Sequence, residues 1–280
     1  MTSGQLHRVI LNFTGRCNMA CSYCYVPFND SKVTEREALR VIHAIRELGP
    51  RSVTLSGGDP FMYPFLPRLL AEVDDGERFI QIDTNAKSMR PRDISILNER
   101  VDLLGLPLDG STTKCHGEMR DDPKHFAVVL GWLDRLHSEP VKIKINTVLS
   151  KFNEADMLAL GCLLAERGIQ RWSTYQFWPM EEGQKNALRF AMETSRYQDL
   201  VSTLRTSYPE IRIEDASIEN RDGTYFFVTH GGLVYTVDPS DYRLYLQLGS
   251  IFESDIVDRW LQVANDVKQG QRIQERISDE

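Results

Sequence analysis

The stretch "VKIKINTVLSKFNEADMLALGCLLAERGIQRWSTYQFW", residues 141–178, holds a complete β–α–β repeat. The runs 141–149 and 171–178 read as strands, and 153–167 between them reads as a helix. Two strands joined through one helix are parallel neighbours in a sheet. The same alternation extends toward the N-terminus. Strand patterns occupy 7–14, 52–56, 78–84 and 101–108, with helical patterns at 34–48, 64–74, 91–99 and 123–137. A further helical pattern, 184–206, follows the last strand. In "TEREALRVIHAIRELG", Thr34 is placed as N-cap, Glu37 completes a capping box and Gly49 is a stop signal. Six strand-then-helix units predict an α/β fold whose parallel sheet curls into a barrel or most of one. Ligands of such a barrel gather at the C-terminal ends of its strands.

A chain of 280 residues, 41% hydrophobic with 12 prolines, suits one sizeable domain with a small appendage. The net charge of −7 argues against a nucleic-acid polymer as partner. The start, "MTSGQLHRVILNF", lacks an apolar signal region, and no run approaches the roughly 18 apolar residues that span a bilayer. A cytoplasmic protein with reduced thiols and no membrane partner is expected. There is no internal repeat, and the polar C-terminal "QGQRIQERISDE" is expected to fray.

Three of the five cysteines crowd into "FTGRCNMACSYCYVPF", residues 13–28, just after the first strand. Cys115 and Cys162 lie far apart, so no disulfide framework is indicated. Structural zinc takes four protein ligands, and no Cys or His pair at zinc-ribbon spacing follows Cys24. His7 and His43 remain available. Three thiolates on an iron–sulfur cube leave one iron open for chemistry. Gly15 and Pro27 flank the cysteines as loop markers, which speaks against three structural cysteines on a helix turn.

Cys17, Cys21, Tyr23 and Cys24 together resemble the signature of radical S-adenosylmethionine (SAM) enzymes. The resemblance implies one [4Fe–4S] cluster on Cys17, Cys21 and Cys24, with SAM at the fourth iron. It also implies a partial (βα)6 TIM-like barrel. The turn "SGGDPF" (56–61) resembles the family's Gly-Gly-Glu-Pro motif, placing Gly57, Gly58 and Asp59 at the SAM amino group with Asp in place of Glu. In "DTNAKS", Asn85 matches a SAM-contacting position, and Ala86 replaces a common Gly. "GLPLDGST" resembles a Ser-x-Asp-Gly strand end, with Asp109 kept and Pro107 where Ser is common. Arg120 aligns with an arginine that pairs with the SAM carboxylate, a match of planar fork to planar anion. Tyr23 and Val148 complete the SAM positions implied.

The stretches 142–157 and 169–186 resemble viperin and viperin-like nucleotide-modifying enzymes, through Lys144-Ile145-Asn146, Phe152-Asn153, Arg171-Trp172 and Gln176. That implies a nucleotide or nucleoside substrate attacked at its ribose, with Asn12, Lys144 and Asn146 in its site. Lys142 and Lys144 share a strand face, toward the barrel or toward solvent. Ser173 stands where those relatives carry a phosphate-binding lysine, so a less charged substrate is expected. The segment 223–260 reads as a hairpin turning at Gly231-Gly232 and then a helix. It can be laid on the viperin tail, with Tyr225 as candidate hydrogen donor, or equally on the tail of peptide-modifying radical SAM proteins, which carry extra clusters there.

The expected organisation is a barrel over 1–210 and an extension over 211–280 that covers its opening. The extension holds no cysteine, which excludes an auxiliary cluster. An electron donor such as flavodoxin or ferredoxin is the implied protein partner. A radical SAM enzyme modifying a peptide or another natural-product precursor is the alternative. A non-catalytic iron–sulfur module has no use for "SGGDP" and Arg120 at strand ends.

Overall fold

The computed structural model describes residues 4–14, 16–27 and 32–278; Gly15 and Phe28 of the cysteine stretch lie outside the described residues. Seven parallel strands run side by side in chain order. They are β1 (Arg8–Thr14), β2 (Ser52–Gly57), β3 (Phe79–Asp83), β4 (Leu103–Pro107), β5 (Lys142–Leu149), β6 (Arg171–Gln176) and β7 (Arg212–Ala216). Helices α1 (Glu35–Leu48), α2 (Leu66–Val73), α3 (Ile94–Arg100), α4 (Thr113–Arg120), α5 (His125–Leu136) and α6 (Met157–Glu166) carry the crossovers up to β6. The capping box at Thr34 and Glu37 forms, and Gly49 ends α1 in the left-handed conformation.

Strict alternation along these strands separates two environments. Val9, Leu11, Val53, Leu55, Ile80, Ile82, Leu104, Leu106, Ile145, Trp172 and Ile213 are buried in the main core. The intervening residues Arg8, Thr54, Gln81, Lys144, Ser173 and Glu214 turn to the other face, toward the lumen. Barrel interiors are ordinarily filled with branched aliphatic side chains. A polar interior marks space kept for a ligand.

The barrel is open. β1 pairs with β2 on one side and on the other with β8 (Phe227–Thr229), which starts an antiparallel run with β9 (Leu233–Asp238) and β10 (Asp241–Ser250). All ten strands belong to one sheet. The hairpin expected at Gly231-Gly232 is the β8–β9 turn, and β7 extends the parallel series past residue 210.

Two expectations need correction. The helix over 184–206 is broken into α7 (Glu182–Lys185), α8 (Ala187–Phe190) and α9 (Thr194–Ser207). The break lets this segment brace the cysteine loop, because Gly183 N donates to Cys24 O (3.3 Å) and Asn186 Nδ2 to Ser22 O (2.9 Å). Nor does the C-terminal segment fray over its described residues, which run to 278. After α10 (Ile218–Arg221) and α11 (Ile256–Leu261), α12 (Asp266–Ile277) buries Gln269, Ile273 and Arg276. Gln269 accepts from the amides of His7 and Arg8, while Arg272 and Arg276 reach Glu214 on β7. α12 therefore ties together the two ends of the open barrel. Its buried face is polar because the lumen it meets is polar. Among the described residues, no helix is long and apolar enough to cross a membrane.

Candidate active site

Cys17, Cys21 and Cys24 are unpaired thiols that line one cavity of about 200 Å³ at the C-terminal ends of the strands. Burial pushes their pKa values up, that of Cys24 to about 12. Without a cation they stay protonated; ligation by a metal is what turns such thiols into thiolates. Among the described residues, no three His, Cys, Asp or Glu side chains converge as one ion requires. A cube distributes its cysteines over separate irons, so it needs thiols facing a shared space. The arrangement fits the cube.

The turn after β2 supports that loop directly. A Cβ on Gly58 would lie 1.6 Å from Arg16 O, so only glycine lets this backbone pass beside the cysteine loop. Gly57 holds φ +96°, a conformation that favours glycine. Asp59 is fully buried and accepts from Phe61 N (3.0 Å), Thr84 Oγ1 (2.7 Å) and Asn85 N (2.8 Å). Its carboxylate fastens the β2 turn to the end of β3. Asn85 Nδ2 in turn donates to Asn18 Oδ1 (2.8 Å) and reaches Cys17 Sγ (3.4 Å). Ala86 holds φ +65° at the place of the more usual Gly, which costs about 1–2 kcal/mol. Trp132 Nε1 donates to its carbonyl (3.1 Å) and helps hold it there.

The end of β4 carries a buried ion pair. Asp109 accepts from Arg120 Nε (2.6 Å), Tyr23 OH (2.7 Å) and Val148 N (2.8 Å). Burial alone would raise its pKa, but Arg120 and these donors hold it below the usual carboxylate range. Arg120 sits at the end of α4, a helix missing from the sequence reading, and lines the cavity. Behind it, Asp109 N donates to His116 Nδ1 (3.0 Å), His116 Nε2 meets His125 Nδ1 (2.8 Å) and His125 Nε2 meets Asn85 O (2.7 Å). Both rings are fully buried. This chain of bonds links the end of β4 to the end of β3.

The candidate substrate residues separate in space. Asn146 lines the cavity; its Nδ2 donates to Asp83 (3.0 Å) across Gly105, where a Cβ would meet that carboxylate at 1.9 Å. Lys144 lies one layer deeper, with Nζ 3.4 Å from Tyr175 OH, and lines a neighbouring cavity. Lys142, on the same face, is exposed. Asn12 bonds to Tyr235 OH and accepts from Ser56 Oγ (3.1 Å); Ser56 lines the cavity and Asn12 sits behind it. Tyr225 lines the cavity beside Trp178, their ring centroids 5.8 Å apart. Ser173 donates to Glu214 (2.6 Å), the carboxylate that also holds Arg272 and Arg276.

Sequence reasoning missed Arg8, Tyr25, Trp178, Arg221 and Arg276, which also line the cavity. Arg8 was within reach of the period-two rule, since it alternates with Val9 and shares a face with Ile10, which also lines the cavity. Arg221 and Arg276 come from helices of the extension, and no local pattern aims them at the lumen.

The sequence model of the Radical SAM superfamily matches residues 11–160, more than half of the chain. The S-adenosylmethionine-dependent nucleotide dehydratase of Lacinutrix mariniflava is 25% identical over 233 residues, 77% of this chain and 47% of that protein. The Fe-coproporphyrin III synthase of Methanosarcina barkeri is 26% identical over 231 residues, 79% of this chain and 57% of that protein. The chain thus spans about half the length of these two curated relatives. Among solved structures, Streptococcus suis SuiB bound to S-adenosylmethionine superposes with a TM-score of 0.72 at 17% identity. That match covers 96% of this chain and 68% of SuiB, and it is a likeness of fold. Another structure of SuiB holds its precursor peptide SuiA.

Proposed function

The chain belongs to the radical SAM superfamily, whose members use a [4Fe–4S] cluster and SAM, and we propose that it abstracts hydrogen from the ribose of a nucleotide or nucleoside. When bound, cluster and SAM supply a 5′-deoxyadenosyl radical able to take hydrogen from an unactivated C–H bond. Cys17, Cys21 and Cys24 would hold the cluster. Gly57, Gly58, Asn85, Arg120 and Val148 border the space for SAM, and Asp59, Asp109 and Tyr23 keep those groups in place. The observation that carries the reading is convergence: thiols, glycine turn and Arg120 share one cavity with Asn146, Trp178 and Tyr225.

The residues of this chain bind, orient and exclude water. Asn146 spends its Nδ2 on Asp83 and leaves Oδ1 buried without a partner among the described residues, suited to accept from a substrate hydroxyl. Trp178 Nε1 likewise has no partner among the described residues. Tyr25, Trp178 and Tyr225 provide aromatic faces on which a base can stack. Tyr225 is our candidate for returning hydrogen late in the reaction. The nucleotide dehydratase and the Fe-coproporphyrin III synthase match this chain at nearly equal identity, so identity alone leaves the choice to the cavity.

The test is a substrate panel. Anaerobically reconstituted protein with SAM and dithionite is offered nucleotides, nucleosides and short peptides, and 5′-deoxyadenosine is measured. A nucleotide or nucleoside is expected to raise its release at least tenfold above the background. Stimulation by peptides and by no nucleotide would replace this reading with a peptide-modifying one.

A further inference from the structure

The lumen beneath Asn146 holds more positive charge than its carboxylates balance. Glu214 takes both Arg272 and Arg276, and Asp83 is shared electrostatically between Lys144 and Arg8, so four cations stand on two carboxylates. A fifth, Arg221, lies against Trp178 (4.3 Å to the ring centroid) and, among the described residues, donates to the carbonyls of Ser217 and Gln176 and to no carboxylate. Below Arg276, a second cavity of about 360 Å³ is lined by seven lysines and arginines against three carboxylates. This sign opposes the −7 of the whole chain.

Arg8 is where the imbalance shows most clearly. It is 8% exposed, and its Nε and Nη2 both turn to one neutral acceptor, Thr54 Oγ1, at 3.1 and 2.8 Å. Among the described residues, no carboxylate lies within ion-pair distance of it. Burial and the facing Arg276 push its pKa down to about 10, low for a group that otherwise stays charged under all conditions. Arg276, only 6% exposed, has no partner for its Nε among the described residues, and it lines the same cavity as Arg8. Buried guanidinium groups of this kind are ordinarily paired.

We propose that the cavity floor between Arg8 and Arg276 binds an oxyanion carried by the substrate. Under the nucleotide reading, on which this rests for the identity of the group, the oxyanion is a phosphate; a substrate carboxylate would satisfy the same chemistry. Two guanidinium forks, one from β1 and one from α12, close on it. Arg8 lies six residues, about 20 Å of strand, before the end of β1 where the cysteine loop begins. The anionic end is thus held far from the thiols, and the reacting end is left beside them. Serving as an anchor, this group would position a C–H bond without taking part in its cleavage.

The test measures binding of inorganic phosphate, the four ribonucleoside 5′-monophosphates, their nucleosides and a simple dicarboxylate to the reconstituted protein. Calorimetry and thermal melting are the readouts. Wild type is expected to bind phosphate and the monophosphates saturably, less tightly as salt rises, and the monophosphates at least tenfold more tightly than their nucleosides. Arg8→Met and Arg8→Gln are each expected to weaken these anions at least tenfold. Without anion, both variants are expected to melt at or above wild type, because a like-charge contact with Arg276 has been removed. Arg8→Gln keeps a donor for Thr54, so a folding defect in Arg8→Met alone leaves the test intact. Preference for the dicarboxylate over phosphate would assign the group as a carboxylate and keep the site. Equal binding by variants and wild type, no anion binding at all, or variants that melt well below wild type would overturn the inference. Nucleosides binding as tightly as monophosphates would also overturn it while leaving the nucleotide reading standing. Phosphate binding through Arg8 with no nucleotide-stimulated SAM cleavage would do the reverse.

Discussion

Arg120→Met is expected to lower the unfolding free energy by about 3–5 kcal/mol, because it leaves Asp109 ionised and buried without its counter-charge. Asp109 is fully buried, and the side chain of Arg120 is 12% exposed. The same change removes the guanidinium from the cavity that we propose holds SAM. SAM affinity should fall about tenfold or more, since a charge-assisted bond contributes roughly 1.5–3 kcal/mol. Urea unfolding and anaerobic calorimetry measure the two losses separately. Adding Asp109→Asn to Arg120→Met removes the stranded charge while keeping an acceptor for Val148 N and turning an amide donor toward Tyr23 OH. The double variant should therefore recover part of the lost stability but none of the SAM affinity. A stable Arg120→Met protein with unchanged SAM binding would mean that Arg120 serves neither role.

The second large effect is acid sensitivity in the window below neutrality. Burial lowers the pKa of His116 to about 3 and that of His125 to about 4, and the nearby Arg120 adds to both. Both rings are neutral in the folded protein. In the unfolded chain each takes up a proton as the pH falls through about 6.5, whereas the folded rings do so only near 4 and 3. The unfolded state thus binds more protons across this window. Stability is complete above about pH 6.5 and declines as the pH drops toward 4. With two histidines, the loss between pH 7.5 and 5.5 should be roughly 2–3 kcal/mol, before most carboxylates begin to titrate. Denaturant unfolding at the two pH values measures it. His125→Gln, which retains a donor for Asn85 O, should remove about half of the pH-dependent loss. A wild-type protein equally stable at both values would show that the pair is not held neutral.

The strand–helix rhythm was legible because every parallel strand sets an apolar row against its helix and a second row toward the lumen. Val53, Leu55, Ile80 and Ile82 carried that signal. The cysteine loop and the glycine turn were legible as local motifs, and the structure adds that Gly58 passes against the backbone of Arg16. What stayed hidden depends on distance in the chain. Arg276 is brought to the lumen by Glu214, 62 residues before it, and no pattern within α12 marks that face as buried. The polar tail was read as fraying because burial is ordinarily inferred from apolar periodicity. Gln269 and Arg276 are buried against backbone groups and carboxylates instead. The break in 184–206 has a similar origin, since Asn186 and Gly183 answer to the cysteine loop more than 150 residues earlier.

The central claim is that Cys17, Cys21 and Cys24 make this barrel a SAM-cleaving enzyme. Its most direct test compares the wild type with a variant carrying Ala at all three positions, each reconstituted anaerobically, then given SAM and dithionite. The wild type should carry about four irons per chain and release 5′-deoxyadenosine, whereas the triple variant should do neither. Full iron loading of the triple variant, or a loaded wild type that leaves SAM uncleaved, would contradict the account.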